Sequence, residues 1–289
     1  PTNLAAINDA MDTSLMGHAY AKSPIDVACW DLTGKAWGAS VVEMLGGIRQ
    51  TRFPLYFAVP LGSPKAMTDY VNARRAEGIH RFQLKIGGDP ILDANRARTV
   101  IDSTSDEDII IGDANCGWRL NEAIFAARSM EDLPRFYFEQ PCSTMEECIE
   151  VRKHTNLPMI YDEIVSDIPT LIRAVREGGA GGFNLKISKV GGLTKAKQMR
   201  DLCEELGLQI TVEDTWGGDI VTATSAHVAA SIKERSLLSV SFMNDWTKEH
   251  IAGHKPRSKN GFGHVPTGPG LGIDVNLSLL EEPLFSVGT

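Results

Sequence analysis

From Leu55 onward, short runs of apolar, β-branched or aromatic residues alternate with longer stretches whose apolar positions recur every three or four residues. Eight short runs stand out: 55–59, 81–86, 108–113, 136–139, 159–162, 183–187, 209–213 and 237–242. Helical stretches lie between them, such as 65–77, 121–132, 146–154, 169–177, 193–206 and 222–232. Strand and helix in alternation predict parallel βα units and an α/β fold. Eight such strands predict a TIM-like (β/α) barrel, with an open doubly wound sheet as the alternative.

The first 50 residues follow another pattern. Ser23-Pro24-Ile25-Asp26 predicts a helix start with Pro at the first helical position, and Ile25, Ala28, Cys29, Leu32 and Ala36 recur at helical spacing after it. Gly46-Gly47 closes this region. From about Asp245 the chain is rich in Gly, Pro and His and has no clear period. Three parts are therefore expected: a helical segment over 1–50, the barrel over 51–245, and a C-terminal segment over 246–289 that packs back on the barrel or its neighbour.

Composition narrows the function. With 29 basic and 37 acidic residues the formal charge is −8, and no Lys/Arg-rich run occurs, so nucleic acid and anionic membranes are poor partners. No stretch approaches the roughly 20 apolar residues of a membrane span. Five cysteines without a C-x-x-C pair suggest neither a disulfide framework nor a zinc knuckle. The expectation is a cytoplasmic protein acting on a small molecule.

The chemistry is predicted at the C-terminal ends of the runs, where barrel active sites are built. Lys85, Asp113, Glu139, Asp162, Lys186 and Glu213 stand there in order, each about one βα unit after the last. Three carboxylates on consecutive strand ends, Asp113, Glu139 and Asp162, would converge and repel, and a hard divalent cation relieves that repulsion. Oxygen-only ligands suit Mg²⁺ or Mn²⁺. The alternative is a ring of carboxylates each paired with a Lys or Arg. Lys85 and Lys186 flank the acidic trio and would face each other across the mouth. A metal-bound carboxylate acidifies the adjacent carbon by stabilising an enediolate, and either lysine can then serve as base.

These residues carry a family resemblance. Gln83-Leu84-Lys85-Ile86-Gly87-Gly88, Asp113-Ala114-Asn115, Phe138-Glu139-Gln140-Pro141, Asp162-Glu163 and Leu185-Lys186-Ile187-Ser188-Lys189-Val190-Gly191-Gly192 resemble the enolase superfamily, in its mandelate racemase/muconate lactonizing enzyme family and muconate lactonizing subgroup. The segment from Ala21 to Gly47 is similar to that family's helical cap, and Pro266-Thr267-Gly268-Pro269-Gly270-Leu271-Gly272 matches near the end. The resemblance implies an enolase-type barrel with a partial, N-terminally truncated capping domain. It also implies Mg²⁺ at Asp113, Glu139 and Asp162, with Lys85 and Lys186 as an acid/base pair on opposite faces of the substrate. Lys189 is not carried over. Where many members have Lys-x-Lys, Gln83 stands at the first position.

Within the subgroup, Glu213-Asp214-Thr215-Trp216-Gly217-Gly218-Asp219 and Asp113-Ala114-Asn115-Cys116-Gly117-Trp118 are similar to enzymes acting on proline derivatives. This implies abstraction of the α-proton of a cyclic amino-acid carboxylate, ending in dehydration of cis-3-hydroxy-L-proline. Racemisation or epimerisation of proline or hydroxyproline betaine is the alternative outcome. Asn115, Glu213, Asp214 and Trp216 would then bind substrate, since acidic groups and an indole face receive a ring ammonium. Packing is the other reading of Trp216. A Schiff-base lyase using Lys186 and a non-catalytic binding barrel are the other functional classes. The expected partners are an amino-acid-derived small molecule and further copies of the chain. His250, His254 and His264 are expected as surface or cap contacts, and Cys116 and Cys142 have no base to activate them.

Overall fold

A computed structural model of the chain describes residues 2–283. Three helices come first, α1 (Leu4–Ser14), α2 (Ala19–Trp37) and α3 (Val41–Met44), followed by strand β1 (Phe53–Pro54). The repeating part then runs β2 (Phe57–Val59), α4 (Pro64–Arg75), β3 (Arg81–Lys85), α5 (Pro90–Asp102), β4 (Ile109–Asp113), α6 (Leu120–Ser129), β5 (Phe136–Glu139) and α7 (Met145–Arg152). It continues with β6 (Met159–Tyr161), α8 (Ile168–Arg176), β7 (Ala180–Lys186), α9 (Ile187–Val190), α10 (Leu193–Glu205), β8 (Gln209–Glu213), α11 (Asp219–Ala230) and β9 (Leu237–Val240). A last strand, β10 (Phe262–Gly263), pairs antiparallel with β1.

Strands β2 to β9 lie side by side in chain order, all parallel. The sheet closes because Tyr56 N–H donates to the Val240 carbonyl at 2.9 Å, beside a parallel bridge from Leu55 to Val240. The chain is an α/β barrel, as the alternation predicts, and not an open sheet. Outward residues such as Phe82, Leu84, Phe136, Phe138, Phe183 and Leu185 are fully buried under the helices. Inside, Ile111, Ile160 and Leu238 pack together with Ile109 and Tyr137 against them. Side chains alternate along a strand, so the positions two residues further on from Ile111, Tyr137 and Ile160 form the next layer toward the mouth. Those positions are Asp113, Glu139 and Asp162.

Three elements depart from the sequence pattern. The pattern marks no helix over 90–102, yet α5 forms there: Asp89 accepts from the N–H groups of Ile91 and Leu92, and Pro90 takes the first position. Its buried stripe uses small residues, Ala94 and Ala97 with Val100 and Ile101, while Ile91 and Leu92 point outward. Strand β7 begins at Ala180 rather than Phe183, with Gly181 against Pro158 and Met159 on the β6 side and Gly182 close to the Gln209 carbonyl of β8. Helix α2 begins at Ala19, before the predicted Ser23, and holds Pro24 in its second turn.

Helix α2 does not bury the apolar positions that recur along it. Its buried residues include Lys22, Ser23, Asp26, Trp30 and Thr33, whereas Ile25 and Leu32 are about half exposed. Asp26 explains this, because its carboxylate accepts from Asn8 Nδ2 at 2.6 Å and from Thr194 N and Oγ1 at 2.9 and 2.7 Å. The C-terminal segment returns to the same seam. Leu271 N–H donates to Asp31 Oδ1 at 2.8 Å, and Val41 N–H donates to the Gly270 carbonyl at 2.8 Å.

Candidate active site

Sheet register sets the site. Lys85 pairs with Asp113, Asp113 with Glu139, and Lys186 with Glu213, so these side chains leave neighbouring strands at one level. Asp162 follows β6 directly. Counting around the eight strands, Lys85 on β3 and Lys186 on β7 stand four apart, on opposite sides of the ring. The glycine after Lys85-Ile86 serves this packing: a Cβ on Gly87 would collide with the Ala114 carbonyl, so the loops after β3 and β4 touch backbone to backbone.

Each lysine is engaged. Lys85 Nζ donates to Asp113 Oδ2 at 2.5 Å, and Lys186 Nζ to Asp162 Oδ2 at 2.5 Å, with Glu213 Oε1 3.4 Å away. Lys189, to which the family resemblance gives no role, belongs here too, with Nζ 2.7 Å from Asp162 Oδ1. Glu139 has no such cation. Among the described residues its donors are amides: Gln83 Nε2 at 3.2 and 3.1 Å and Asn184 Nδ2 at 2.5 Å. Both amides come from the layer below the mouth. Asn184 Nδ2 also reaches Glu213 Oε1 at 3.3 Å, and the Tyr56 hydroxyl donates to Glu213 Oε2.

The electrostatics follow from this geometry. Burial, with Asp113, Asp162 and Glu213 nearby, pushes the Glu139 carboxyl well above the usual carboxylate range. Burial also raises Asp113 and Glu213, against the pull of Lys85 and Lys186 respectively. Asp162 goes the other way: burial acts to raise it, but the ammonium groups of Lys189 and Lys186 hold it low. Burial disfavours the charged forms of Lys85 and Lys186, yet their carboxylate partners raise both. Burial pushes the Cys116 thiol up to about 12, which leaves it inert as a nucleophile.

The expected substrate residues divide. Asn115, at the mouth in a left-handed conformation (φ 42°), donates through Nδ2 to Glu163 Oε1 at 3.0 Å. Glu213 is buried within the barrel and serves Lys186, Tyr56 and Asn184; its register with Lys186, not a surface position, decides this. Asp214 accepts from the Ser188 N–H and hydroxyl and from Thr215 N–H at 2.7 Å, so it ties the loops after β7 and β8 together. Trp216 is 57% exposed in a cleft of about 620 Å³ whose other walls include Pro24, Val27 and Ala28 of α2 and Ile187 after Lys186. Sequence reading missed Tyr56, Asn184 and the role of Lys189. Period-2 spacing places Asn184 two residues before Lys186 on the same face, which was a usable signal; Tyr56 and Lys189 had none beyond their polarity.

Comparison with known proteins agrees with this architecture. Residues 66–279 match the family model described as enolase C-terminal domain-like, and residues 1–46 match the mandelate racemase/muconate lactonizing enzyme N-terminal domain. The chain belongs to the mandelate racemase/muconate lactonizing enzyme family of the enolase superfamily. A curated cis-3-hydroxy-L-proline dehydratase from Roseibium aggregatum is 44% identical over 98% of this chain and 77% of its own length. An N-succinyl-L-Arg/Lys racemase from Bacillus cereus is 26% identical over 98% of the chain and 76% of its own. Among solved structures, a mandelate racemase/muconate lactonizing enzyme from Roseovarius nubinhibens superposes with a TM-score of 0.92 at 35% identity, covering 99% of this chain and 79% of that one. An enolase superfamily member from Roseovarius nubinhibens complexed with magnesium gives 0.95 at 31% identity, over 99% and 78%.

This member of the superfamily is therefore an enzyme of the lyase or racemase/epimerase type, acting on a small molecule. Among its described residues no helix is long and apolar enough to cross a membrane. Its residues fit a magnesium ion by chemistry. Asp113, Glu139 and Asp162 offer oxygen alone, and Glu139 faces other carboxylates without an ammonium partner. Among the described residues no three acidic, His or Cys side chains are gathered around one point. Lysine nitrogens engage Asp113 and Asp162 instead.

Proposed function

We propose that this chain uses Mg²⁺ held by Asp113, Glu139 and Asp162 to remove the α-proton of a cyclic amino-acid carboxylate, with dehydration of cis-3-hydroxy-L-proline as the reaction. The observation that carries the reading is the placement of two lysines on opposite sides of a ring of carboxylates. In the cis isomer the carboxyl and 3-hydroxyl share a ring face, so the α-hydrogen lies on the other face. Eliminating water then needs a base and an acid on opposite sides. One lysine takes the α-proton while the other, as ammonium, protonates the departing hydroxyl. A bound Mg²⁺ would supply positive charge at the substrate carboxylate, which acidifies the α-carbon.

Charge balance supports a substrate with a cationic nitrogen. Asp113, Glu139, Asp162, Glu163, Glu213 and Asp214 bring six carboxylates near the mouth, against the ammonium groups of Lys85, Lys186 and Lys189. A divalent cation reduces that excess of three to one, and a substrate whose ring ammonium balances its own carboxylate adds no further negative charge. Trp216 and Asn115 would form the substrate side of the site. The named activity of the 44% identical relative favours dehydration; epimerisation of a proline or hydroxyproline betaine uses the same opposed lysines and is the second reading.

The test is turnover with Mg²⁺ in D₂O. Cis-3-hydroxy-L-proline should lose water, and Lys85→Ala or Lys186→Ala should stop that loss. Borohydride should trap no adduct at Lys186. Deuterium at the α-carbon of a betaine without elimination would move the chain to the epimerases, and a trapped adduct would move it to Schiff-base chemistry.

A further inference from the structure

Asp162 is held at almost every polar atom it has. Its N–H donates to Gln140 Oε1 at 2.8 Å. Its carbonyl and its Oδ1 both accept from Lys189 Nζ at 2.7 Å. Only Oδ2 is left toward the mouth, where Lys186 meets it. Neither holding residue is free to wander. Lys189 is buried, its ammonium 5.3 Å from the Phe183 ring centroid and 3.4 Å from the Asn184 carbonyl. Gln140 is fully buried and left-handed (φ 35°) directly before Pro141, a conformation that a residue preceding proline disfavours. Its own N–H donates to the Ile160 carbonyl at 3.0 Å, and its carbonyl accepts from Cys116 N–H at 3.0 Å. One residue, through its backbone and its side chain, thus ties the ends of β4, β5 and β6 together.

We propose that Lys189 and Gln140 are positioning residues that leave Asp162 a single oxygen, Oδ2, directed to the mouth, and that Lys189 thereby sets the site's preference for a small, hard divalent cation. The inference rests on the reading of Asp113, Glu139 and Asp162 as a metal site and adds its selectivity. Magnesium demands near-octahedral single-oxygen contacts at 2.0–2.1 Å, whereas calcium takes six to eight oxygens and accepts both oxygens of one carboxylate. A carboxylate whose second oxygen is pinned by a buried ammonium suits the first ion better than the second, which gains more from a two-oxygen contact. Freed of Lys189, Asp162 can turn both oxygens to the mouth.

Calorimetric titration of the chain with Mg²⁺ and, separately, Ca²⁺ tests this without reference to turnover. The wild type should bind Mg²⁺ at least about tenfold more tightly than Ca²⁺. Lys189→Met should weaken Mg²⁺ by about 10–100-fold, the usual cost of losing such a support, and should shift the ratio toward Ca²⁺ by about tenfold. Gln140→Met leaves the pinned oxygen in place, so it should weaken both ions alike. Parallel loss of both ions in Lys189→Met would reduce Lys189 to a structural role and overturn the inference alone. Equal affinity of the wild type for the two ions would do the same, whether or not either variant folds. A wild type that binds neither ion would overturn the metal site itself.

Discussion

Asp26 on α2 and Glu139 at the end of β5 are both fully buried carboxylates, and their surroundings differ in kind. Asp26 is met by three hydrogen bonds, from Asn8 and from the backbone and hydroxyl of Thr194. Its neighbours in the seam between the helical segment and the barrel are equally satisfied. Asp31 caps the Leu271 N–H, and His227 sits between the Val42 N–H and the Leu271 carbonyl. Glu139 has amide donors only and faces Asp113, Asp162 and Glu213. Folding alone explains the first network, since every buried polar group gains a partner. It does not explain the second, where a fully buried carboxylate faces other carboxylates with only amide donors of its own, and such sites are candidates for function.

The sharpest separation of the two regions is Glu139→Gln. It should lower turnover by at least about a thousandfold, equivalent to about 4 kcal/mol of barrel-mouth chemistry. Stability, read by urea unfolding of the metal-free chain, should stay within about 1 kcal/mol of wild type or rise, because a charge facing like charges is removed. A large loss of stability would mean that Glu139 holds the barrel together. Asp26→Ala should do the reverse. It leaves the donors of Asn8 and Thr194 buried without an acceptor, so about 3 kcal/mol of stability should go, while kcat per folded molecule stays within about twofold.

Acid distinguishes the regions by sign. Burial lowers the His227 pKa from 6.5 to about 4, and its geometry, with Nδ1 accepting and Nε2 donating, is that of the neutral ring. Between those values the unfolded chain binds the extra proton, so stability is fully present above pH 6.5 and declines as pH falls, by about 3 kcal/mol below pH 4. Glu139, Asp113 and Glu213 are raised, so in the metal-free chain the folded state holds more protons above the ordinary carboxylate range, and their contribution declines as pH rises. Unfolding measured across pH in His227→Gln should lose the first slope, and in Glu139→Gln part of the second. Unchanged slopes in both variants would refute the contrast.

The two regions were not equally legible in the sequence. Strand side chains alternate whatever packs against them, so strand periodicity turns Lys85, Asp113, Glu139, Asp162, Lys186 and Glu213 to the inner face; the register sets Lys85 beside Asp113, Asp113 beside Glu139 and Lys186 beside Glu213, while Asp162 stands two residues beyond Ile160, the partner of Glu139. What those side chains touch was not legible: Glu213 turned out to serve Lys186, and Asp214 to serve Ser188. On α2 the facing was not legible either. An apolar stripe of Ile25, Ala28 and Leu32 predicts the buried side, but the partners supplied by α1 and α10 are hydrogen-bonding groups, and the polar stripe turned inward. Local backbone geometry is written in periodicity, whereas a helix's orientation depends on what lies across from it.

Trp216 lies on the border between the regions, and the smallest predicted effect decides its allegiance. It belongs to the loop after β8, two residues from Asp214, yet it shares a cleft with Pro24, Val27 and Ala28 of α2. The same loop is tied to α2 by a 3.0 Å hydrogen bond between Thr215 Oγ1 and the Tyr20 hydroxyl. More than half its surface is open, so packing loss on truncation is small. An indole face that receives a partly desolvated ring ammonium contributes on the order of 1–2 kcal/mol. Trp216→Ala should therefore raise KM for a substrate with a charged ring nitrogen by about tenfold, with kcat and the unfolding midpoint nearly unchanged. A neutral isostere of the same ring should bind weakly to wild type and lose little more in the variant. Equal losses for charged and neutral rings, together with a lowered midpoint, would assign Trp216 to the seam, and the case for a cationic substrate would then rest on the carboxylate excess at the mouth.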